Sequence, residues 1–435
     1  MPRPRLCSTL SSQSLTLLTI LSFSLLACPV AQAQTYKVLY NFTGRSDGRF
    51  PLAGVVLGPD GNLYGTTGGG WFTQNCTENG IAGCGTVFEL TQTSSGWNLQ
   101  TLYSFRGGND GVAPVRIIFA PDGNIYGATL YGGDNGDNMN QQCLPGGCGT
   151  VFKLSPGQGG NWTESVPHRF QGPPDGQQPV RGALVLDSAG NLYGTTTSGG
   201  RYLCGQYGDT PCGVAYELTP SGDRWNESII WNFGNGDGSW PSNVITDDAG
   251  NLYGALGFGG GYACSGGCGM VFELSPSPTG WSEKVLFNFN SAAGVGHFPD
   301  GGLLFDQVGN LYGSTFYGPG DGAGTVYELT PTGAGWGHQT LYSLPGQFNT
   351  GTYGSLLMDG AGNLYGVRGD VPSGAVYKLT HTDAGWSYSE LHNFNGAGDG
   401  GSPAAYLTMD LSGNLYGTTY QGGAYGYGVV FEITP

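Results

Sequence analysis

Apolar and polar positions alternate along the chain in short runs, and no segment keeps a 3.6-residue period, so the pattern predicts strands throughout and no helix. The runs recur in a fixed order. First comes an apolar stretch after a proline, as in Pro179 to Leu186 or Pro299 to Phe305, closed by a tight turn such as Asp187-Ser188-Ala189-Gly190. The second strand is the pentapeptide Gly-Asn-Leu-Tyr-Gly, present seven times with one isoleucine, Ile125, in place of leucine. Its asparagines are Asn62, Asn124, Asn191, Asn251, Asn310, Asn363 and Asn414, separated by 62, 67, 60, 59, 53 and 51 residues. After a glycine-rich loop the third strand reads Gly-Thr-Val-Phe-Glu-Leu at Gly85 to Leu90 and recurs from Gly149, Gly213, Gly269, Gly324, Gly374 and Gly428. The fourth begins at a tryptophan and ends on Phe or Leu eight residues later: Trp97, Trp162, Trp225, Trp281, Trp336 and Trp386 precede Phe105, Phe170, Phe233, Phe289, Leu344 and Phe394. β-Branched and aromatic runs bounded by Gly, Pro, Asn and Asp have the composition of strands.

A period of this length marks a repeat architecture. Residues 34–435 are expected to form one body, an all-β, seven-bladed β-propeller of four-stranded antiparallel sheets. The seventh fourth strand lies at the other end of the chain: Phe42 closes Tyr36 to Phe42, and eight residues before it stands Gln34. The N-terminal strand is therefore expected to pair in the last blade and close the ring, removing a free edge. A solenoid is the competing architecture, but it would want capping repeats, and none is visible. The pentapeptide reads as structural, its Asn satisfying the turn while Leu and Tyr pack between sheets.

The unit combines Asp-Gly-x-x-Pro before a strand, Gly-Asn-Leu-Tyr-Gly-Thr-Thr, and Gly-Thr-Val-Phe-Glu-Leu-Thr. In this it resembles the GloVer tandem repeat of exported bacterial proteins, over essentially the whole chain after residue 33. The resemblance implies export and a repeat fold, and no particular activity. Relatives often carry a C-terminal anchoring segment, which is not expected here because the chain ends inside its last repeat. The strand order is also similar to NHL-type propellers, which implies that the strand after the proline is innermost.

The first 33 residues read as a signal peptide: Arg3 and Arg5, the apolar run Ser14 to Ala27, and a small-residue cleavage site at Ala31-Gln32-Ala33. The apolar run is too short for a confident membrane span. Leu25-Leu26-Ala27-Cys28 offers a second reading as a lipoprotein signal with the lipid on Cys28. Export agrees with the cysteines. Beyond the leader they fall in pairs, Cys76/Cys84, Cys143/Cys148, Cys204/Cys212 and Cys264/Cys268, each in the loop before a third strand, and are expected to form local disulfides. A metal site is not expected at them, since no histidine or carboxylate cluster accompanies any pair. The formal charge of −16 repels phosphate backbones and argues against a nucleic-acid partner.

Antiparallel connections put the cysteine loops on the same face as the linkers between units. Those linkers carry Asp47, Asp110, Asp175, Asp237 and Asp399, replaced by Val295 and Thr350 in two units. Two readings stand: an acidic mouth able to take a cation such as calcium, or plain Asp-Gly turn chemistry. The same face collects Trp71, Phe72, Tyr131, Tyr202, Phe258, Tyr262, Phe316, Tyr317 and Tyr420. These suit sugar binding, as platforms for C–H faces beside polar groups, and equally suit covering the glycine-rich loops. No nucleophile elbow, zinc-protease helix motif or phosphate loop is present. Of five histidines only His297 lies in a linker on this face, and Arg116 and Arg181 are the cationic candidates for a pocket. The expectation is a secreted or cell-surface monomer that binds an extracellular glycan or protein, with no required cofactor. The alternative is a glycan-active lyase or hydrolase working at the pore mouth.

Overall fold

The pentapeptide explains how each blade is made. Its first glycine takes φ of +80° at Gly61 to +91° at Gly309, a left-handed turn position that suits Gly. In blades 3 to 7 the aspartate three residues earlier organises the turn, and in blades 1 and 2 Asp60 and Asp122, directly before the glycine, accept from Asn62 and Asn124 instead. Asp247 accepts hydrogen bonds from the backbone N–H of Ala249 and Asn251, the Asn251 side-chain amide at 2.8 Å and the Tyr253 hydroxyl at 3.0 Å. Asp306, Asp359 and Asp410 repeat the arrangement. The last glycine is needed for a different reason. A Cβ on Gly65 or Gly254 would fall 2.6 Å from the ring of Phe88 or Phe272 on the third strand, so that ring lies flat on the bare backbone.

The computed structural model describes residues 34–435 except 70–76, 79–80, 134–142, 144–145, 180–181, 183, 205–209, 235–236, 261–263, 265, 291–293, 347–353 and 370–372. The proposed leader with Cys28, and also Trp71, Phe72, Cys76, Arg181, Tyr262 and Thr350, lie outside the described residues. Seven antiparallel sheets form a β-propeller, each running from an inner strand through the pentapeptide strand and third strand to an outer one. In blade 1 these are Val56–Leu57, Leu63–Thr67, Thr86–Thr93 and Gly96–Ser104. The expected single inner strand is broken where it starts at the proline: Gln177–Pro179 and Val185–Leu186 pair separately with Leu192–Ser198. At the matching places in blades 4 and 1, Ser242 and Ala53 turn their carbonyls to the neighbouring blade instead. Thr195 Oγ1 donates to Ser242 O at 2.7 Å and Thr418 Oγ1 to Ala53 O at 2.9 Å, tying adjacent blades near the axis.

Closure is as expected. Thr35–Asn41 pairs antiparallel with Val429–Thr434, Thr35 opposite Thr434 and Asn41 opposite Val429, as the outer strand of blade 7. The outer strands carry a β-bulge that leaves one apolar residue unpaired, Leu102 in blade 1 and Ile230 in blade 3. The N-terminal strand has its bulge at the matching residue, Leu39. The bulge matters because side chains alternate, so one inserted residue swaps the faces beyond it. Trp225 and Ile229, before the bulge, pack toward blade 2, whereas Trp231 and Phe233, after it, pack toward blade 4. Seven apolar clusters result, one at each junction between neighbouring blades, and the last joins Leu39 and Phe42 to Leu63, Phe88 and Leu90.

Disulfides Cys143–Cys148, Cys204–Cys212 and Cys264–Cys268 close the expected loops. Cys84 is also disulfide-bonded. No helix among the described residues is long and apolar enough to cross a membrane.

Two outcomes follow from the packing. Deleting residues 34–42 exposes the edge of Val429–Thr434 and removes Phe42, fully buried. Phe42 alone is worth about 3–5 kcal/mol, so thermal unfolding of the deletion variant should begin many degrees lower, if it folds at all. Tyr327 fills the site that Phe88 fills in blade 1, yet its hydroxyl is buried without a hydrogen-bond partner. Tyr327→Phe should therefore raise stability in urea by about 1 kcal/mol, and a loss of that size would show that the hydroxyl has a native partner.

Candidate functional site

The linkers enter each blade on the face that carries the disulfide loops, and there the backbone is strained. Phe50, Ala113, Gln178, Trp240, Phe298 and Ser402, each immediately before a proline, have φ between +53° and +60°. This is an unfavourable region for bulky side chains, typically costing about 1–3 kcal/mol, and such strain concentrates at functional sites. The conformation lets the N–H turn away from its own sheet. That of Phe298 reaches Cys268 O at 2.8 Å, that of Ala113 reaches Cys84 O at 2.9 Å, and that of Phe50 reaches Tyr427 O at 2.9 Å, each the carbonyl just before a third strand of the preceding blade. The side chain is thereby presented at the rim where a linker becomes an inner strand.

Three of these residues are aromatic, and they gather the aromatics of the neighbouring loops. At blades 4 and 5, Trp240 lies 5.5 Å from Phe258 and 5.9 Å from Phe298, and Phe258 and Phe298 are 4.9 Å apart. Tyr317 extends the patch, 6.1 Å from Phe298 and stacked on His297 at 5.0 Å. Trp240 is 50% exposed. On the other side of the ring, Phe50 stacks on Tyr420 at 5.0 Å and meets Tyr427 edge-on. Of the aromatics singled out in the sequence, Phe258, Tyr317 and Tyr420 thus stand in these groups, while Tyr131 is 7% exposed and packs in the core between blades 1 and 2. Trp240, Phe298 and Phe50 were not foreseen, although an aromatic directly before the strand-opening proline was a readable signal. Arg116 reaches inward with its guanidinium 4.5 Å above the ring of Tyr406.

The linker acids are not brought together around the axis. Each is held by its own linker and by the end of its own outer strand. Asp47 accepts from the Tyr40 hydroxyl, from the Thr43 hydroxyl and N–H, and from the Arg45 N–H, at 2.7–3.0 Å. Asp110 accepts from the Tyr103 hydroxyl at 2.7 Å and the Arg106 N–H at 2.6 Å. Asp399 takes the Asn395 N–H and lies 3.1 Å from His392 Nε2. Asp175 takes the Gln171 N–H at 2.6 Å beside His168, and Asp237 lies beside Trp231. The face-swap at the bulge brings the next blade's outer strand against these groups: Glu164 on Asp110, Glu227 on Asp175 and Glu283 on Asp237. Burial, then the charge of Asp110, pushes Glu164 up to about 7, and burial with the charge and hydrogen bond of Asp237 does the same to Glu283.

A seven-bladed propeller with an aromatic rim on its loop face is the class this geometry defines. Within that class, a Gloeobacter/Verrucomicrobia repeat model matches residues 70–299 and 138–371, and the chain belongs to that family. No curated protein matches at the sequence level. Solved structures with a similar fold include an ulvan lyase of polysaccharide lyase family 25, at TM-score 0.56 and 12% identity, covering 92% of this chain and 95% of that one. The same kind of enzyme bound to a glucuronic acid–sulfated rhamnose unit gives TM-score 0.54 at 10% identity, covering 92% and 95%. The surface component PorZ of the type-IX secretion system of Porphyromonas gingivalis gives 0.50 at 13% identity, covering 90% of this chain and 47% of that one. At these identities the likeness shows the fold alone.

The raised carboxyls set a pH dependence. A group with a raised folded-state pKa binds its proton more tightly when folded, so its contribution is present below the unfolded value near 4.5 and is lost as pH rises through about 7. The turn aspartates Asp247, Asp306, Asp359 and Asp410 have lowered pKa values, hydrogen bonds outweighing burial, and lose their contribution only below the ordinary Asp range. His338 and His392, lowered by burial, act in the opposite direction across the same window, so the expected outcome is a difference: from pH 5 to pH 8 the melting temperature should fall more, or rise less, in the unaltered protein than in the Glu164→Gln/Glu283→Gln double variant.

Proposed function

We propose that this chain is an exported propeller that binds an extracellular glycan on the aromatic rim of its loop face, with Trp240, Phe258, Phe298 and Tyr317 as the main platform. The observation that carries the reading is Trp240: a large aromatic, half exposed, held at φ of +57° beside two further rings. The left-handed turn recurs before the strand-opening prolines, with serine or alanine serving as well, so packing gives no reason to place a tryptophan there half in water, whereas a sugar ring laid on its face would bury it. Phe50, Tyr420 and Tyr427 form a second, smaller patch for a longer chain. Export is supported by the disulfides and the leader pattern. The linker aspartates serve the turns in this reading. Cation binding at the mouth is not required, and the chain works as a monomer.

His297 stacked on Tyr317 at the edge of the platform favours a second reading, a lyase or hydrolase acting on the same glycan. The polysaccharide lyase of similar fold keeps that reading open. One experiment addresses both. The purified protein is passed over a glycan array and insoluble polysaccharides, scored for retention and for released product. Retention without product supports the binder, and product lost in His297→Ala supports the enzyme. Trp240→Ala should weaken retention at least about tenfold while leaving the melting temperature within a few degrees. Undiminished retention by Trp240→Ala would sink the platform.

A further inference from the structure

The junctions between outer strands follow one plan. A residue six positions after the strand-opening tryptophan faces forward, a linker aspartate follows it, and the residue two positions after the next blade's tryptophan faces back. In blade 1 the forward residue is Tyr103, which bonds Asp110 at 2.7 Å. At the closure it is Tyr40, bonding Asp47 at 3.0 Å, and in blade 6 it is His392, 3.1 Å from Asp399. Between blades 2 and 3 the plan changes. His168 Nε2 stands 3.4 Å from Asp175 Oδ2 and 3.5 Å from Glu227 Oε1, and makes a hydrogen bond to neither. Both His168 Nε2 and Glu227 Oε1 are shut off from solvent, yet neither has a hydrogen-bond partner. One ligand atom from each of the three residues lies within 4.8 Å of the others.

These separations are those of ligands around a common centre. Nitrogen and oxygen ligands about 2.0–2.2 Å from a tetrahedral zinc ion stand roughly 3.3–3.5 Å apart. One imidazole and two carboxylates suit such an ion, and three protein ligands leave a fourth position for water. Two of the three ligands are already held in position. The Gln171 N–H fixes Asp175 through a 2.6 Å hydrogen bond, and the edge of Phe170 against the His168 ring restricts its rotation. We propose that His168, Asp175 and Glu227 form a divalent-metal site, with zinc the ion that fits, bridging the outer strands of blades 2 and 3. His392 and Asp399 do not make a second such site, because the position corresponding to Glu227 is occupied by Tyr36, stacked on the His392 ring at 3.7 Å.

The test uses untagged protein stripped with EDTA, then equilibrium dialysis against zinc chloride with metal analysis, and thermal melting with and without zinc. One zinc ion per chain and a higher melting temperature are expected. Glu227→Gln should bind zinc at least about tenfold more weakly. His168→Tyr installs the Tyr–Asp–Glu set that the chain already builds at Tyr103, Asp110 and Glu164, so it should fold, melt like the metal-free protein and take up no zinc. Absence of saturable uptake by the unaltered protein overturns the proposal. So does undiminished uptake by either variant, which would place the ion elsewhere.

Discussion

Everything in this molecule depends on the requirement that each sheet be covered on both faces by another sheet. A single four-stranded blade of this composition cannot bury its own apolar faces. A ring of seven can, provided the last blade is completed by a strand from the first part of the chain. The pairing of Thr35–Asn41 with Val429–Thr434 supplies it, down to the bulge at Leu39 that every other outer strand needs to turn its second half toward the next blade. With that strand in place, Tyr36 and Val38 close one junction and Leu39 and Phe42 the next. One segment thus completes two interfaces.

The repeated plan is confined to the blade interiors, where turn aspartates, pentapeptide glycines and third-strand rings permit little change from blade to blade. Chemistry enters where the plan leaves side chains free. At the rim these are the residues before each proline, which run from serine and alanine to phenylalanine and tryptophan. At the outer junctions they are the forward and backward residues, which pair as Tyr with Glu, His with Glu, Trp with Glu, Phe with His, Tyr with Tyr, His with Tyr and Tyr with Leu. Neither set disturbs the core, so a fixed frame can carry different surfaces around its circumference.

The architecture was legible in the sequence because its signals are local and repeated. The pentapeptide, the eight-residue spacing from Trp97 to Phe105 and the stray strand ending at Phe42 fix the blade count and the closure before any coordinate is known. The outer-strand bulge was not legible: Leu102 and Ile230 look like ordinary members of an alternating run, and no residue type marks an insertion. Strict alternation would put Glu227 and Trp231 on one face of their strand. The bulge separates them, which is why the meeting of His168 with Glu227 could not be read from spacing. The linker acids were legible as turn chemistry but not as ligands, because an Asp-Gly pair has the same appearance whether its carboxylate faces its own backbone or a partner. The rim was half legible. Phe258 and Tyr317 stood out in their loops, whereas Trp240 and Phe298 carried a signal in their place before a proline, but that place reads as extended chain rather than as the left-handed turn found there.

The hydrogen bond from the Phe298 N–H to the Cys268 carbonyl joins two features otherwise treated apart. Cys268 is held by its bridge to Cys264, so the backbone on which Phe298 rests is anchored through sulfur in the preceding blade. Cleaving that bridge would free the segment that carries the acceptor, and with it the seat of an aromatic at the rim. On the proposed reading of the rim as a binding surface, redox conditions and recognition would be coupled mechanically through this one contact, with no change to the closure of the blades.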